Sequence, residues 1–179
     1  MYAAAKYDIQ LSCLMCYNIS IKYERKNTLE HMNEFEKQVS RLWKLMGSHS
    51  VMVLSTCSHN RVTSRPMSTV IIDGKFYCQT DINYLKCRQL SENPSAALSF
   101  KNFSIEGICR NIGKPTEHAL FMNVMKEHFP SAAERWSSIP TECLLEITPT
   151  LVYLWDYELT MPYMEYWDFK NKTYRKEWK

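Results

Sequence analysis

Arg65, Ser68, Thr80 and Lys86 are the residues of this chain whose types and spacing could do chemistry together. They fall in one stretch, residues 62–94, which reads VTSRPMSTVIIDGKFYCQTDINYLKCRQLSENP. Two cations and two hydroxyls converging on one point match a phosphate monoester dianion, because charge-assisted hydrogen bonds are the strong ones. Lys86 falls in the first turn of a short predicted helix. The unpaired N–H groups and partial positive charge of a helix start favour an anion further. Arginines and lysines on strands and helix starts are more often plain surface residues, and hydroxyls are common on strands. The residues alone therefore admit both readings.

The elements that must position these groups follow from periodicity. Residues 62–72 and 75–80 read as strands joined by Asp73-Gly74, a hairpin signal because a type I′ turn needs positive φ at both central residues. Residues 83–91 read as a helix stopped before Pro94. Regular alternation would point Arg65 and Ser68 to opposite faces. Pro66, which cannot donate to a ladder, marks an edge or a bulge, and a bulge would bring both side chains to one ligand. Elsewhere, residues 29–46 read as an amphipathic helix capped by Asn27 and followed by Gly47. Residues 50–56, 96–101, 105–112, 143–148 and 151–157 read as further strands, the last two separated by Pro149. Thr116 is expected to cap a helix reaching Phe129, and 130–140 reads as loop or broken helix. Residues 165–169 and 173–178 read as a terminal hairpin around Asn171-Lys172. Six core strands with peripheral helices imply a mainly β fold, a β-barrel.

The totals bound the rest. The chain has 179 residues, enough for one domain plus a short extension. We read 1–27 as an N-terminal extension and 28–179 as the domain. A net charge of +3 with scattered basic residues does not fit a nucleic-acid binder. Seven cysteines, mostly inside apolar runs, argue against a disulfide framework and for a reducing, cytoplasmic setting. Cys57, Cys78 and Cys87 read as buried thiols. Cys13 and Cys16 form a lone C-x-x-C without a second ligand pair. His49, His59 and His118 lack metal-ligand spacing, so no metal is expected. No run approaches a membrane span.

The order R-P-M-S, D-G-x-F-Y, T-D-x-x-Y-L-K-x-x-Q-L, N-P-x-x-A-L-S-F and I-E-G resembles the pyridoxamine 5′-phosphate oxidase-like family of FMN-binding split β-barrels. The resemblance covers roughly 35–113 well and the region of Trp155 more loosely. It implies a six-stranded split barrel and a homodimer with FMN at the subunit interface. By that resemblance Arg65 and Lys86 hold the FMN phosphate, and Ser68 and Thr80 add hydroxyls. Main-chain groups of Met67, Ser68, Thr69 and Val70 run along the flavin edge and Pro66 belongs to the same cofactor-binding set, while Asn102 reaches the flavin from the partner chain and Trp155 lies beside it. Two departures stand out. Val70 replaces the lysine that the true oxidases carry, and 156–161 reads DYELTM where they carry R-x-H. The resemblance therefore implies an FMN-dependent oxidoreductase acting on a small molecule other than pyridoxamine phosphate, with NADH or NADPH as electron donor. The second reading is a flavin-, haem- or deazaflavin-binding protein without turnover, in stress response, storage or sensing. No catalytic acid or base is assigned.

Overall fold

The computed structural model describes residues 32–179. The chain divides into two compact units, Met1–Lys37 and Gln38–Lys179. The Cys13/Cys16 pair, the Asn27 cap and the boundary at residue 27 lie outside the described residues. Asn33 caps the first described helix, α1 (Glu34–Met46), which runs across the division after Lys37. The Glu36 N–H donates to Asn33 Oδ1 and the Asn33 N–H to Glu36 Oε2, both at 3.0 Å. This reciprocal box satisfies two donors that a helix start leaves orphaned, so Met32 and Asn33 precede the helix instead of belonging to it.

In the second unit, β1 (His49–Ser58), β2 (Arg61–Ile72), β3 (Lys75–Asp81), β4 (Ser95–Phe100), β5 (Phe103–Asn111) and β6 (Glu142–Glu158) are joined antiparallel in the order β3-β2-β1-β4-β5-β6. Pairing of β3 with β6 closes them into a six-stranded barrel, the expected fold class. Two tight turns set the register of its first half. His59 and Asn60 have φ of 47° and 60°, and Asp73 and Gly74 have φ of 48° and 75°. Directly opposed strand residues share a face. The pairs Leu54 with Leu98, Ile105 with Val152, and Phe76 with Ile147 therefore fill the barrel, each residue at most 1% exposed. Burial of each such side chain stabilises the fold by roughly 1.5–3 kcal/mol.

Strand β6 is one continuous element, where two strands broken at Pro149 were expected. Pro149 opposes Gly107, Leu151 opposes Glu106, and Thr150 is the extra residue of a bulge. The bulge absorbs a residue that cannot donate to the ladder. Gly107 is required opposite it, because a Cβ there would stand 2.6 Å from the Thr148 carbonyl oxygen.

Helix α2 (Leu85–Glu92) follows β3. After β5 comes a 3-10 turn, Pro115–Glu117, and then α3 (Ala119–His128), so Thr116 lies in the turn rather than capping the helix. The 130–140 segment contains α4 (Pro130–Trp136), with Pro130 in its first turn where no N–H is needed. Phe121, Met125 and Ala133 of α3 and α4 bury Val70 and Leu144 on the outer face of the barrel. Strands β7 (Met161–Asp168) and β8 (Thr173–Trp178) extend the sheet from residues 151–158 of β6. Among the described residues, no helix is long and apolar enough to cross a membrane.

Candidate functional site

Strand β2 pairs with β3 only at Val70, Ile71 and Ile72, whereas β3 runs on to Asp81 along β6. The two strands diverge beyond that point. The gap holds a cleft of about 250 Å³ lined by Met67, Thr80, Tyr84, Lys86, Trp136 and Glu142, among others. Tyr84 and Trp136 are half or more exposed at this lining and offer flat apolar surfaces.

Lys86 reaches the cleft because Asp81 shapes the entry to α2. One Asp81 carboxylate oxygen accepts from the Asn83 main chain at 2.8 Å and from its side chain at 2.9 Å, and the other accepts from Thr141 Oγ1 at 2.6 Å. Lys86 is 8% exposed. Its Nζ donates to Thr80 Oγ1 at 2.7 Å and lies 4.6 Å from the Tyr84 ring centroid. Burial lowers its pKa, and the nearby Arg65 charge lowers it further.

Arg65 is held by neutral oxygens as well. Its guanidinium donates to Thr56 Oγ1 at 2.8 Å, to the Leu54 carbonyl at 3.2 Å and to Thr63 Oγ1. Buried Gln89 of α2 anchors both threonines, accepting from each hydroxyl at 2.6 Å and donating to the Arg61 carbonyl at 2.7 Å. Burial lowers the Arg65 pKa. Among the described residues, neither Arg65 nor Lys86 has a carboxylate within ion-pair distance. Two neighbouring cations taken partly out of water, with no carboxylate in ion-pair reach among the described residues, suit an anionic ligand such as a phosphate.

The other expected site residues divide. Met67 lines the cleft, and Thr69 is fully buried with its hydroxyl turned back to the Met67 carbonyl at 3.1 Å. The bulge expected at Pro66 is absent: β1 and β2 keep an unbroken register from His49–Val70 to Ser58–Arg61. The full ladder with β1 holds β2 regular, so Ser68 stays on the face opposite Arg65. There Pro66 and Ser68 oppose the exposed Val53 and Val51. Asn102 and Trp155 meet each other, the Trp155 N–H donating to the Asn102 carbonyl at 3.1 Å, but neither lines the Lys86 cleft.

Glu142 is a site residue that sequence reasoning missed. It opposes Asp81 across β3 and β6 and is 7% exposed. Burial first, and the Asp81 charge second, push its carboxyl up to about 7. Its one local signal is an acidic residue heading the apolar run ECLLEI. Lys86 and Asp81 lie over fifty residues earlier, so their proximity could not be read.

The family model described as pyridoxamine 5′-phosphate oxidase matches residues 35–156. The chain belongs to this family. The match takes in β1 to β5, the helices and most of β6, and therefore every residue of the cleft named above; β7 and β8 lie beyond it. No protein among the curated sequences matches the chain. Among solved structures, it resembles a pyridoxamine 5′-phosphate oxidase-related, FMN binding protein from Nostoc punctiforme PCC 73102, with TM-score 0.53 and 15% identity, over 83% of this chain and 98% of that one. It also resembles PhzG from Burkholderia lata 383 in complex with tetrahydrophenazine-1-carboxylic acid, with TM-score 0.54 and 13% identity, over 80% of this chain and 89% of that one. A third likeness is to an F420 reductase, with TM-score 0.50 and 14% identity, over 62% of this chain and 94% of that one. At these identities the likenesses carry the fold alone.

Proposed function

We propose that the protein is an FMN-binding oxidoreductase that acts on a small molecule as a homodimer. One observation carries this reading: Lys86 and Arg65, neighbouring cations taken partly out of water, donate to neutral oxygens and have no carboxylate within ion-pair distance among the described residues. Lys86, Arg65 and the Thr80 hydroxyl would hold the FMN phosphate. The main chain of Met67, Ser68, Thr69 and Val70 would lie along the ring. When bound, the flavin supplies hydride or electron-pair transfer. The chain's own residues bind and orient it, and the apolar parts of Tyr84, Trp136 and Met67 exclude water from the cleft.

The homodimer draws support from the outward faces of β1 and β6. Val51, Val53, Trp155 and Tyr157 are 57%, 40%, 36% and 57% exposed. A second copy covering these faces would bring Asn102 and Trp155 to the partner's flavin. The turn at 156–161 offers no basic residue, so pyridoxamine phosphate is not the substrate we propose.

The test is to purify the full chain, add FMN and then NADH or NADPH. The expected result is tight uptake of FMN, bleaching of its absorbance by the nicotinamide, reoxidation with turnover, and a dimer in sedimentation. Uptake without bleaching would assign the protein to binding without turnover. Failure to take up FMN would overturn the reading.

A further inference from the structure

Gln79 and Thr80 are consecutive residues near the end of β3, and successive strand side chains point to opposite faces. Thr80 turns to one face and accepts from Lys86. Gln79 turns to the other and meets α4. Its Nε2 donates to the Ala132 carbonyl at 3.1 Å, and its Oε1 accepts from Ser137 Oγ at 2.7 Å. A carbonyl oxygen can only accept, so the amide nitrogen must face Ala132 and the amide oxygen Ser137. Gln79 is 9% exposed and Ser137 3%. Groups buried this deeply hold each other in place, because losing one partner leaves the other unpaired away from water.

Helix α4 needs that hold. It has seven residues, too few to persist as a helix by itself. Its buried side chain is Ala133, and Ala132 packs beside it on the outer apolar cluster. Alanine methyls bury little apolar surface. Trp136 follows these alanines at spacings of four and three residues, on the same side of the helix. It is half exposed and lines the Lys86 cleft together with Met67, Tyr84 and Gln79 itself. Gln79 thus grips the one turn of α4 that carries Trp136, at Ala132 before it and Ser137 after it.

We infer that Gln79 is a positioning residue: with Ser137 it latches α4 beside the cleft, so that Trp136 forms a wall against the planar end of a phosphorylated aromatic ligand. The ligand is the FMN of the proposed function and rests on that reading, whereas the latch is a property of the cofactor-free chain. Lys86 and Thr80 take the phosphate. Met67, along whose main chain the ring would lie, lines the same space as Trp136. A ring entering there meets the indole in offset or edge-to-face contact. Two neighbouring residues of one strand therefore serve the two ends of the ligand, Thr80 directly and Gln79 through α4.

The test uses the full chain carrying a fluorinated tryptophan, with the Trp136 fluorine signal assigned by its loss in Trp136→Phe. Without ligand, Gln79→Leu and the milder Ser137→Ala should move the Trp136 signal toward its position in the unfolded chain and leave the other tryptophan signals in place. Binding of inorganic phosphate, which meets Lys86 and Thr80 but not Trp136, should be unchanged in both variants. FMN affinity should fall roughly 2- to 12-fold in Gln79→Leu and in Trp136→Ala alike, and no further in the double variant. An unmoved Trp136 signal in Gln79→Leu would overturn the latch. Equal losses of phosphate and FMN binding would overturn the positioning role, because Gln79 would then act on the phosphate site. Failure of the unaltered chain to take up FMN would overturn the flavin reading and the ligand wall with it, while the fluorine spectra still decide the latch.

Discussion

Lys86 donates to Thr80 at 2.7 Å across the mouth of a cleft, and the hydroxyl is its only hydrogen-bond acceptor among the described residues. A buried ammonium left with one neutral acceptor costs folding free energy. The cost is recovered when an anion arrives.

Replacing Lys86 with methionine should therefore separate binding from stability. FMN affinity should fall roughly 10- to 150-fold, the equivalent of about 1.5–3 kcal/mol for a charged hydrogen bond. The melting temperature of the cofactor-free protein should hold or rise, since an uncompensated charge is removed. Fluorescence titration and calorimetry on the same samples check both. A fall in melting temperature with unchanged affinity would make Lys86 structural.

Gln89 acts at one remove. Gln89→Leu frees the Thr56 and Thr63 hydroxyls that brace Arg65. It should weaken FMN binding by about 1 kcal/mol through Arg65 placement alone. Arg65→Ala, and Arg65→Ala combined with Gln89→Leu, should lose the same affinity. An additive double variant would show that Gln89 does not work through Arg65.

Glu142 sets a pH dependence. Its folded-state pKa, about 7, lies above the unfolded carboxyl value. Its contribution is fully present below the unfolded value, near 4.3, and is lost as pH rises to about 7, because folded Glu142 must then ionise in a buried place. The cofactor-free protein should lose stability across that window, and Glu142→Gln should flatten the loss. Melting curves at intervals from pH 5 to pH 8 measure it. FMN affinity should fall as pH rises through and above about 7, where folded Glu142 ionises and its charge repels phosphate.

Gly107→Ala tests the closure of the barrel. The added methyl would meet the Thr148 carbonyl oxygen at 2.6 Å and Ile147 Cγ2 at 2.8 Å. Overpacking of this kind costs about 1–3 kcal/mol. Urea unfolding should show that loss, with the FMN site weakened only through stability.

Local chemistry carried what was legible. Asp73-Gly74, the barrel strands and the Lys86 helix all follow from neighbours in sequence, and the family resemblance rests on the same stretch. The misreadings are non-local. Pro149 broke the pattern of β6, yet a bulge opposite Gly107, over forty residues away, lets the strand run through it. Pro66 marked an edge correctly, but the bulge did not follow, because a complete ladder with β1 holds β2 regular. The meetings of Glu142 with Asp81 and with Lys86 are products of barrel closure. No spacing in the sequence records them.

Where β2 leaves β3, residues 61–69 present a strand edge with no partner among the described residues. Such an edge is a template on which freshly made, cofactor-free chains can stack into cross-β aggregates. Pro66 interrupts the row of donors, and Arg61 and Arg65 add charge to the stretch before it. Charge and a missing donor at this edge disfavour such stacking.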